Sequence, residues 1–319
     1  MSLVGDYEKH PRPVRFTALF YGVAMGAIAL AVFAFFMPVE WSEGKLRYRL
    51  WQAGARPLLW EKHRGFTQDR CGAKAPADCT CVWFLHGMGD SVTTWKNVFL
   101  DPAAFGGAPV RVFAIDLPGH GGSIRRHDLA EYRASNMARE IDAEIGNTAK
   151  CTRNAAVGNS FGGWIAALLA LESPKRYEHL VLIGPGGLLS AEAETAGLLR
   201  DGSVESLKEF QKRAYFKPRV LTDSEWTAAA RRVAATGTGE IEGAQVPADR
   251  LDGKLGKISV PTTIVWGEAD RIIPRAVVDE FASGIPHAKL LTIPECGHLP
   301  QKECPAKLFP LLQRALGAN

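Results

Sequence analysis

Gly158-Asn159-Ser160-Phe161-Gly162-Gly163 follows the apolar run Ala155 to Val157 and precedes Trp164 to Leu171, a stretch that reads as a helix. A serine flanked by glycines at this spacing suits a sharp strand-to-helix turn. Such a turn strains the backbone of its central residue, and the small neighbours permit the close approach that it needs. Ser160 then stands exposed at the tip. The competing reading of the pentapeptide is a glycine-rich turn with a capping serine.

Working outward, short apolar runs recur on both sides of this turn. Val82–Leu85, Val110–Ile115, Leu180–Ile183, Thr263–Trp266 and Leu290–Ile293 read as strands separated by helix-like stretches. Strands that alternate with helices imply a mostly parallel sheet with helices on both faces. Ligands in such sheets gather at the carboxyl ends of the strands. The alternation breaks at residues 188–252, where Ala, Glu, Leu and Arg dominate, and a helical cap inserted between two strands is expected there. Residues 45–187 and 253–319 then form the two parts of the core. Lys45 to Arg64 reads as strand material at the sheet edge.

Serine is a poor nucleophile near neutral pH, so a base and a group that orients it should accompany Ser160. Trp266-Gly267-Glu268-Ala269-Asp270 comes directly after one strand, and Cys296-Gly297-His298-Leu299-Pro300 after the last. These loops, with Leu85-His86-Gly87-Met88-Gly89-Asp90 and the elbow itself, resemble the α/β-hydrolase fold superfamily in the chain order Ser, acid, His. The resemblance implies Ser160 as nucleophile, Asp270 as the orienting acid with Glu268 as its rival, and His298 as base. It also implies the backbone N–H groups of Met88 and Phe161 as oxyanion donors, with His86 and His120 in structural roles.

Within the superfamily two branches compete. The cap and Ile258-Ser259-Val260-Pro261-Thr262 look like monoacylglycerol lipases and related esterases. Gly158-Asn159-Ser160 and Gly184-Pro185-Gly186-Gly187-Leu188 are similar to carbon–carbon hydrolases of aromatic ring-cleavage products. That branch commonly has an aromatic residue after the catalytic histidine, whereas this chain has Leu299. Ester hydrolysis through an acyl-enzyme is therefore the expected activity, with carbon–carbon hydrolysis and a non-enzymatic binding module as alternatives. No motif calls for a cofactor or metal. A small ester or lipid is the expected substrate, and oligomeric state is left open.

The 319 residues are 46% hydrophobic and 23% charged with a net charge of +4, enough for a large core and without the basic runs of a nucleic-acid binder. Phe16 to Met37 is a 22-residue run without charge. About 20 helical residues cross a bilayer, so this run is expected to be a transmembrane anchor behind a basic tail, residues 1–15. Lys9, Arg12 and Arg15 keep that tail cytoplasmic and send the catalytic domain to the extracytoplasmic side. A signal peptide cut near Val32-Phe33-Ala34, which would release a secreted enzyme, and a buried core helix are the alternatives. Six cysteines fit an oxidising exterior, with Cys71/Cys79, Cys81/Cys151 and Cys296/Cys304 the economical pairing. Zinc bound by Cys71, Cys79 and Cys81 is the competing reading.

Overall fold

The computed structural model of the protein describes residue 25 and residues 38–72, 78–148 and 151–317. The chain divides into two units, Met1–Arg49 and Leu50–Asn319. Helix α1 (Pro38–Gln52) covers the described end of the first unit and enters the second. The expectation of an anchor at Phe16 to Met37 falls outside the described residues, apart from Met25. Among the described residues no helix is long and apolar enough to cross a membrane.

An eight-stranded sheet organises the second unit. Its strands are β1 (Arg56–Leu59), β2 (Arg64–Asp69), β3 (Thr80–Leu85), β4 (Val110–Ile115), β5 (Arg153–Asn159), β6 (His179–Ile183), β7 (Thr262–Gly267) and β8 (Lys289–Ile293), in the spatial order β1-β2-β4-β3-β5-β6-β7-β8. Pairings β1–β2 and β2–β4 are antiparallel, and all the others are parallel. Each of the six apolar runs read as strands is one of β3 to β8. The reading of Lys45 to Arg64 as strand material is corrected: residues 45–52 continue α1, and only 56–59 and 64 onward are strand. Lys45-Leu46-Arg47-Tyr48-Arg49-Leu50 alternates in polarity, yet Lys, Leu and Arg are good helix formers, and no partner strand fixes the period of two.

Helices cover both faces, as a parallel sheet requires. They include α2 (Lys96–Leu100), α3 (Ala134–Thr148) and α4 (Phe161–Glu172). Helix α4 is apolar on all sides, and Phe161 through Ala170 are buried, so it is the central core helix behind β5. Trp83 on β3 shows how the core is locked. Its ring stacks on Phe113 of β4 at 4.0 Å, and its indole N–H donates to Asn154 Oδ1 on β5 at 3.0 Å. A buried indole keeps its stability only when that N–H finds such a partner.

Between β6 and β7 lie four α-helices, two short 3-10 turns and no strand: α5 (Leu189–Thr195), α6 (Val204–Ala214), α7 (Asp223–Ala234) and α8 (Thr238–Ala244). Thr222 caps α7 by accepting from the Glu225 N–H, while the Glu225 carboxylate accepts from the Thr222 N–H. Leu199, Val233 and Thr238 of this insertion sit over Gly89, where an added Cβ would meet them at 3.3–3.7 Å. The chain returns through α9 (Arg275–Gly284), β8, α10 (Pro300–Glu303) and α11 (Pro305–Ala315).

All six cysteines are paired, Cys71–Cys79, Cys81–Cys151 and Cys296–Cys304, with Cα separations of 5.7, 5.7 and 6.2 Å. The zinc alternative is thereby corrected, because its three sulfurs are already in covalent bonds.

Candidate active site

Ser160 precedes α4 as its N-cap residue at φ 55° and ψ −118°, a positive-φ conformation that costs a non-glycine residue about 1–3 kcal/mol. The surrounding hydrogen bonds hold it there. The Ser160 N–H donates to the Ile183 carbonyl at 3.0 Å, and the Ser160 carbonyl accepts from Trp164 and Gly186 N–H groups, both at 3.1 Å. The two flanking glycines are needed for space. A Cβ on Gly158 would collide with the Gly162 carbonyl, and one on Gly162 with the Leu85 carbonyl.

The loops after β7 and β8 meet beside this turn. His298 Nδ1 lies 2.8 Å from Asp270 Oδ2, and both side chains are almost fully buried. The other Asp270 oxygen accepts from the N–H groups of Ile272 and Ile273 at 2.8 and 2.9 Å, which fixes the carboxylate plane. Glu268, its rival, instead faces the surface and accepts from the Thr292 hydroxyl at 2.7 Å. Gly184, after β6, packs against the pair: a Cβ there would stand 3.1 Å from Asp270 Oδ2 and 3.2 Å from His298 Nδ1. The carboxyl ends of β5, β6, β7 and β8 thus converge on one point, as the sheet order demands.

The loop after β3 closes the fourth side. A Cβ on Gly87 would lie 3.2 Å from Ser160 Cβ, so the backbone at Gly87-Met88 runs against the serine. Phe161 is the first residue of α4, where N–H groups have no acceptor within the helix. Met88 and Phe161 therefore flank Ser160 from two separate loops. Two histidines brace this arrangement reciprocally. His86 Nε2 accepts the Leu117 N–H at 3.0 Å, and His120 Nε2, on the loop after β4, accepts the Gly89 N–H at 3.0 Å. The rings lie 5.0 Å apart.

Burial, with the neighbouring His86 second, pushes the His120 pKa down from 6.5 to about 3. Burial, then Arg126, Lys62 and Arg64, does the same to His63, also to about 3. Both imidazoles take up a proton near pH 6.5 when unfolded and resist it when folded, so their contribution to stability is complete above that pH. It is lost progressively as pH falls from about 6.5 toward 3. The melting temperature should accordingly drop between pH 7 and 4.5. A flat melting profile across that range would contradict it.

Several residues escaped the sequence reading. Asn159 turns its amide inward and donates to the carbonyls of Ile183 and His298, both at 3.0 Å. Its Oδ1 accepts from Gln301 Nε2 at 3.0 Å, and the same Gln301 amide lies 3.2 Å from the Thr94 hydroxyl. Lys302 Nζ reaches Asp90 Oδ2 at 2.6 Å and so links the loop of His298 to the loop of Met88. Burial would raise the Asp90 pKa, but the charges of Lys302 and His86 and the hydrogen bonds from Lys302 and the Ser91 N–H together hold the carboxyl below its usual range. Lys302 is correspondingly raised, with burial opposing and Asp90 and Tyr215 together prevailing. The one available signal was that Gln301, Lys302 and Glu303 all follow His298 within five positions.

Comparison with known proteins agrees with this fold. Residues 84–311 match the model of the alpha/beta hydrolase family. A 2-hydroxy-6-oxononadienedioate/2-hydroxy-6-oxononatrienedioate hydrolase from Cupriavidus pinatubonensis is 31% identical over 249 residues, 71% of this chain and 83% of that protein. A 2-hydroxy-6-oxo-6-phenylhexa-2,4-dienoate hydrolase from Burkholderia cepacia is 30% identical over 258 residues, 75% of this chain and 88% of that protein. Among solved structures, a membrane phospholipase A described as a bacterial virulence factor superposes with a TM-score of 0.73 at 22% identity, covering 95% of this chain and 99% of that one. A thermophilic esterase gives a TM-score of 0.61 at 22% identity over 82% of this chain and 97% of its own. With the elbow, the paired loops and the family model in agreement over most of its length, the chain belongs to the alpha/beta hydrolase family of hydrolases.

Proposed function

We propose that the protein is a serine hydrolase of carboxylic esters with an apolar acyl group. Ser160 attacks the ester carbonyl, and His298 accepts the hydroxyl proton and returns it to the leaving alcohol. Asp270 keeps the imidazole in one orientation and stabilises its charged form. The N–H groups of Met88 and Phe161 hold the developing oxyanion, and water then releases the acid from Ser160.

The observation that carries the ester reading is that apolar side chains of the insertion pack onto the loop after β3. Leu199, Val233 and the Thr238 methyl face Gly89. Lys302, four residues after His298, is engaged by Asp90 at 2.6 Å. An acyl chain gains about 25 cal/mol per Å² of apolar surface buried against such side chains. A substrate carboxylate gains nothing there.

A second reading, carbon–carbon hydrolysis, is favoured by the relatives at 30–31% identity, whose names specify dienoate and dienedioate substrates. Against it stand those apolar side chains, Leu299 after the histidine, and three disulfides, which suit an oxidising compartment. The same disulfides agree with an extracytoplasmic domain held by residues 16–37 as a membrane anchor, where the site would meet amphiphilic esters at the bilayer.

A hydrolysis screen of short nitrophenyl esters, monoacylglycerols, an acyl thioester and a 2-hydroxy-6-oxo-dienoate, run on carbonate-washed membranes from cells producing the protein, tests these assignments. Esters should give the highest kcat/KM, with the activity in the membrane pellet. Faster cleavage of the dienoate than of every ester would defeat the ester reading, and activity released by carbonate would defeat the anchor.

A further inference from the structure

Consecutive residues at the end of α6 tie the insertion to both catalytic loops. The Arg213 carbonyl accepts the N–H of Arg271, the neighbour of Asp270, at 3.1 Å. The Ala214 carbonyl accepts the N–H of His298 itself at 2.7 Å. Arg213 Nε returns a bond to the Arg271 carbonyl at 3.1 Å. Contact is so close that a Cβ on Gly297 would collide with the Ala214 carbonyl and come within 2.9 Å of Tyr215 Cα. The segment from Arg213 to Lys217, the last residues of α6 and the three that follow, therefore lies directly across the backbone that carries the base.

Glu303, at the end of α10, joins the two sides with one carboxylate. Oε2 accepts the Gly297 N–H at 2.7 Å, and Oε1 accepts the Lys217 N–H at 2.9 Å. Closure of the base loop does not need this residue, since the Cys296–Cys304 disulfide already bridges it. What Glu303 adds is the link between the residue before His298 and the residue that ends the strap.

We infer that Glu303 is a positioning residue for His298, which couples the base to the seating of the 213–217 strap. It does not touch substrate. The inference rests on the serine-hydrolase reading of Ser160 and His298. A carboxylate has two acceptor oxygens and serves both N–H groups, whereas an amide has one and presents an N–H to the other. Removing the carboxylate leaves the His298 backbone with its bond to Ala214 but frees the strap from Gly297. The imidazole then samples positions away from Ser160.

The test compares wild type, Glu303→Gln and Glu303→Ala in the full-length protein, using the rate of fluorophosphonate labelling at Ser160 together with kcat and KM on a short soluble ester. Because reacting groups misplaced by about 1 Å lose up to about 100-fold, kcat for Glu303→Ala should fall about 10- to 100-fold. KM should stay within about twofold, since substrate binding is not what is lost. Labelling should slow in parallel, with Glu303→Gln intermediate, while circular dichroism is unchanged. A folded Glu303→Ala with wild-type kcat and labelling, or a loss confined to KM, overturns the coupling. If Glu303→Ala does not fold, Glu303→Gln decides by the same criteria. Wild type that fails to label at Ser160 overturns the hydrolase reading and the coupling with it, whereas normal wild-type labelling with unaltered variants overturns the coupling alone.

Discussion

Ser160→Ala protein should melt at the wild-type temperature and lose at least about 10⁴-fold in ester turnover, the scale on which serine-triad knockouts fall. The two halves of this expectation have separate causes. Turnover depends on the Ser160 oxygen, for which alanine offers no substitute. Stability depends on the backbone, and alanine inherits the same φ of 55°, the same bond to the Ile183 carbonyl and the same bonds from the Trp164 and Gly186 N–H groups. Strain is thus unchanged in Ser160→Ala. Ser160→Gly, equally inactive, should instead gain up to about 1 kcal/mol, because glycine occupies positive φ without steric cost. Hydrolysis rates and thermal melts of the two variants check both points. Retained turnover in Ser160→Ala would remove the nucleophile assignment, and a much lower melting temperature would mean that the hydroxyl serves the fold.

The second large effect is on stability. Cys81 opens the buried centre of β3, and Cys151 stands just before β5, the strand that pairs with β3. Their bridge closes a span of 70 residues, whereas Cys71–Cys79 and Cys296–Cys304 each close 8. Loop-closure entropy in the unfolded chain then assigns about 4 kcal/mol to the long bridge and about 2.5 kcal/mol to each short one. The double variant Cys81→Ala/Cys151→Ala should therefore lose more in urea unfolding than Cys71→Ala/Cys79→Ala. Both partners must be replaced together, because Cys79 Sγ lies 3.8 Å from Cys151 Sγ and a lone thiol could exchange into the adjacent bridge. The reverse ranking would show that native-state geometry, not chain entropy, dominates these bridges.

Much of the architecture was legible because its signals are local. A buried parallel strand is a short apolar run whatever it pairs with, so β3 to β8 stand out in the sequence. The elbow is legible for a related reason: a side chain at Gly158 would collide with Gly162, within the same five residues. Where no steric demand acts locally, the reading failed. Residues 45–52 alternate in polarity yet are helical, since propensity and periodicity disagree there and only tertiary pairing arbitrates.

The choice between Glu268 and Asp270 shows the boundary most clearly. Both acids follow β7 in a matching loop, and resemblance favours Asp270, but what separates them physically is direction. Asp270 is turned inward by the N–H groups of Ile272 and Ile273, while Glu268 points to Thr292 at the surface. The partners of Asn159 and Glu303 could not be read from the sequence. Their hydrogen bonds reach His298 and Lys217, 139 and 86 positions away, and separations of that size leave no periodicity to read.

By itself, then, the sequence determined the sheet, the strained serine and the order of its partners, because close packing and backbone sterics act between near neighbours. Only the tertiary structure decided which acid faces His298, that the cysteines form the pairs the spacing suggested and not a zinc site, and how the insertion is strapped to His298, because each depends on groups that folding alone brings within hydrogen-bond or covalent reach.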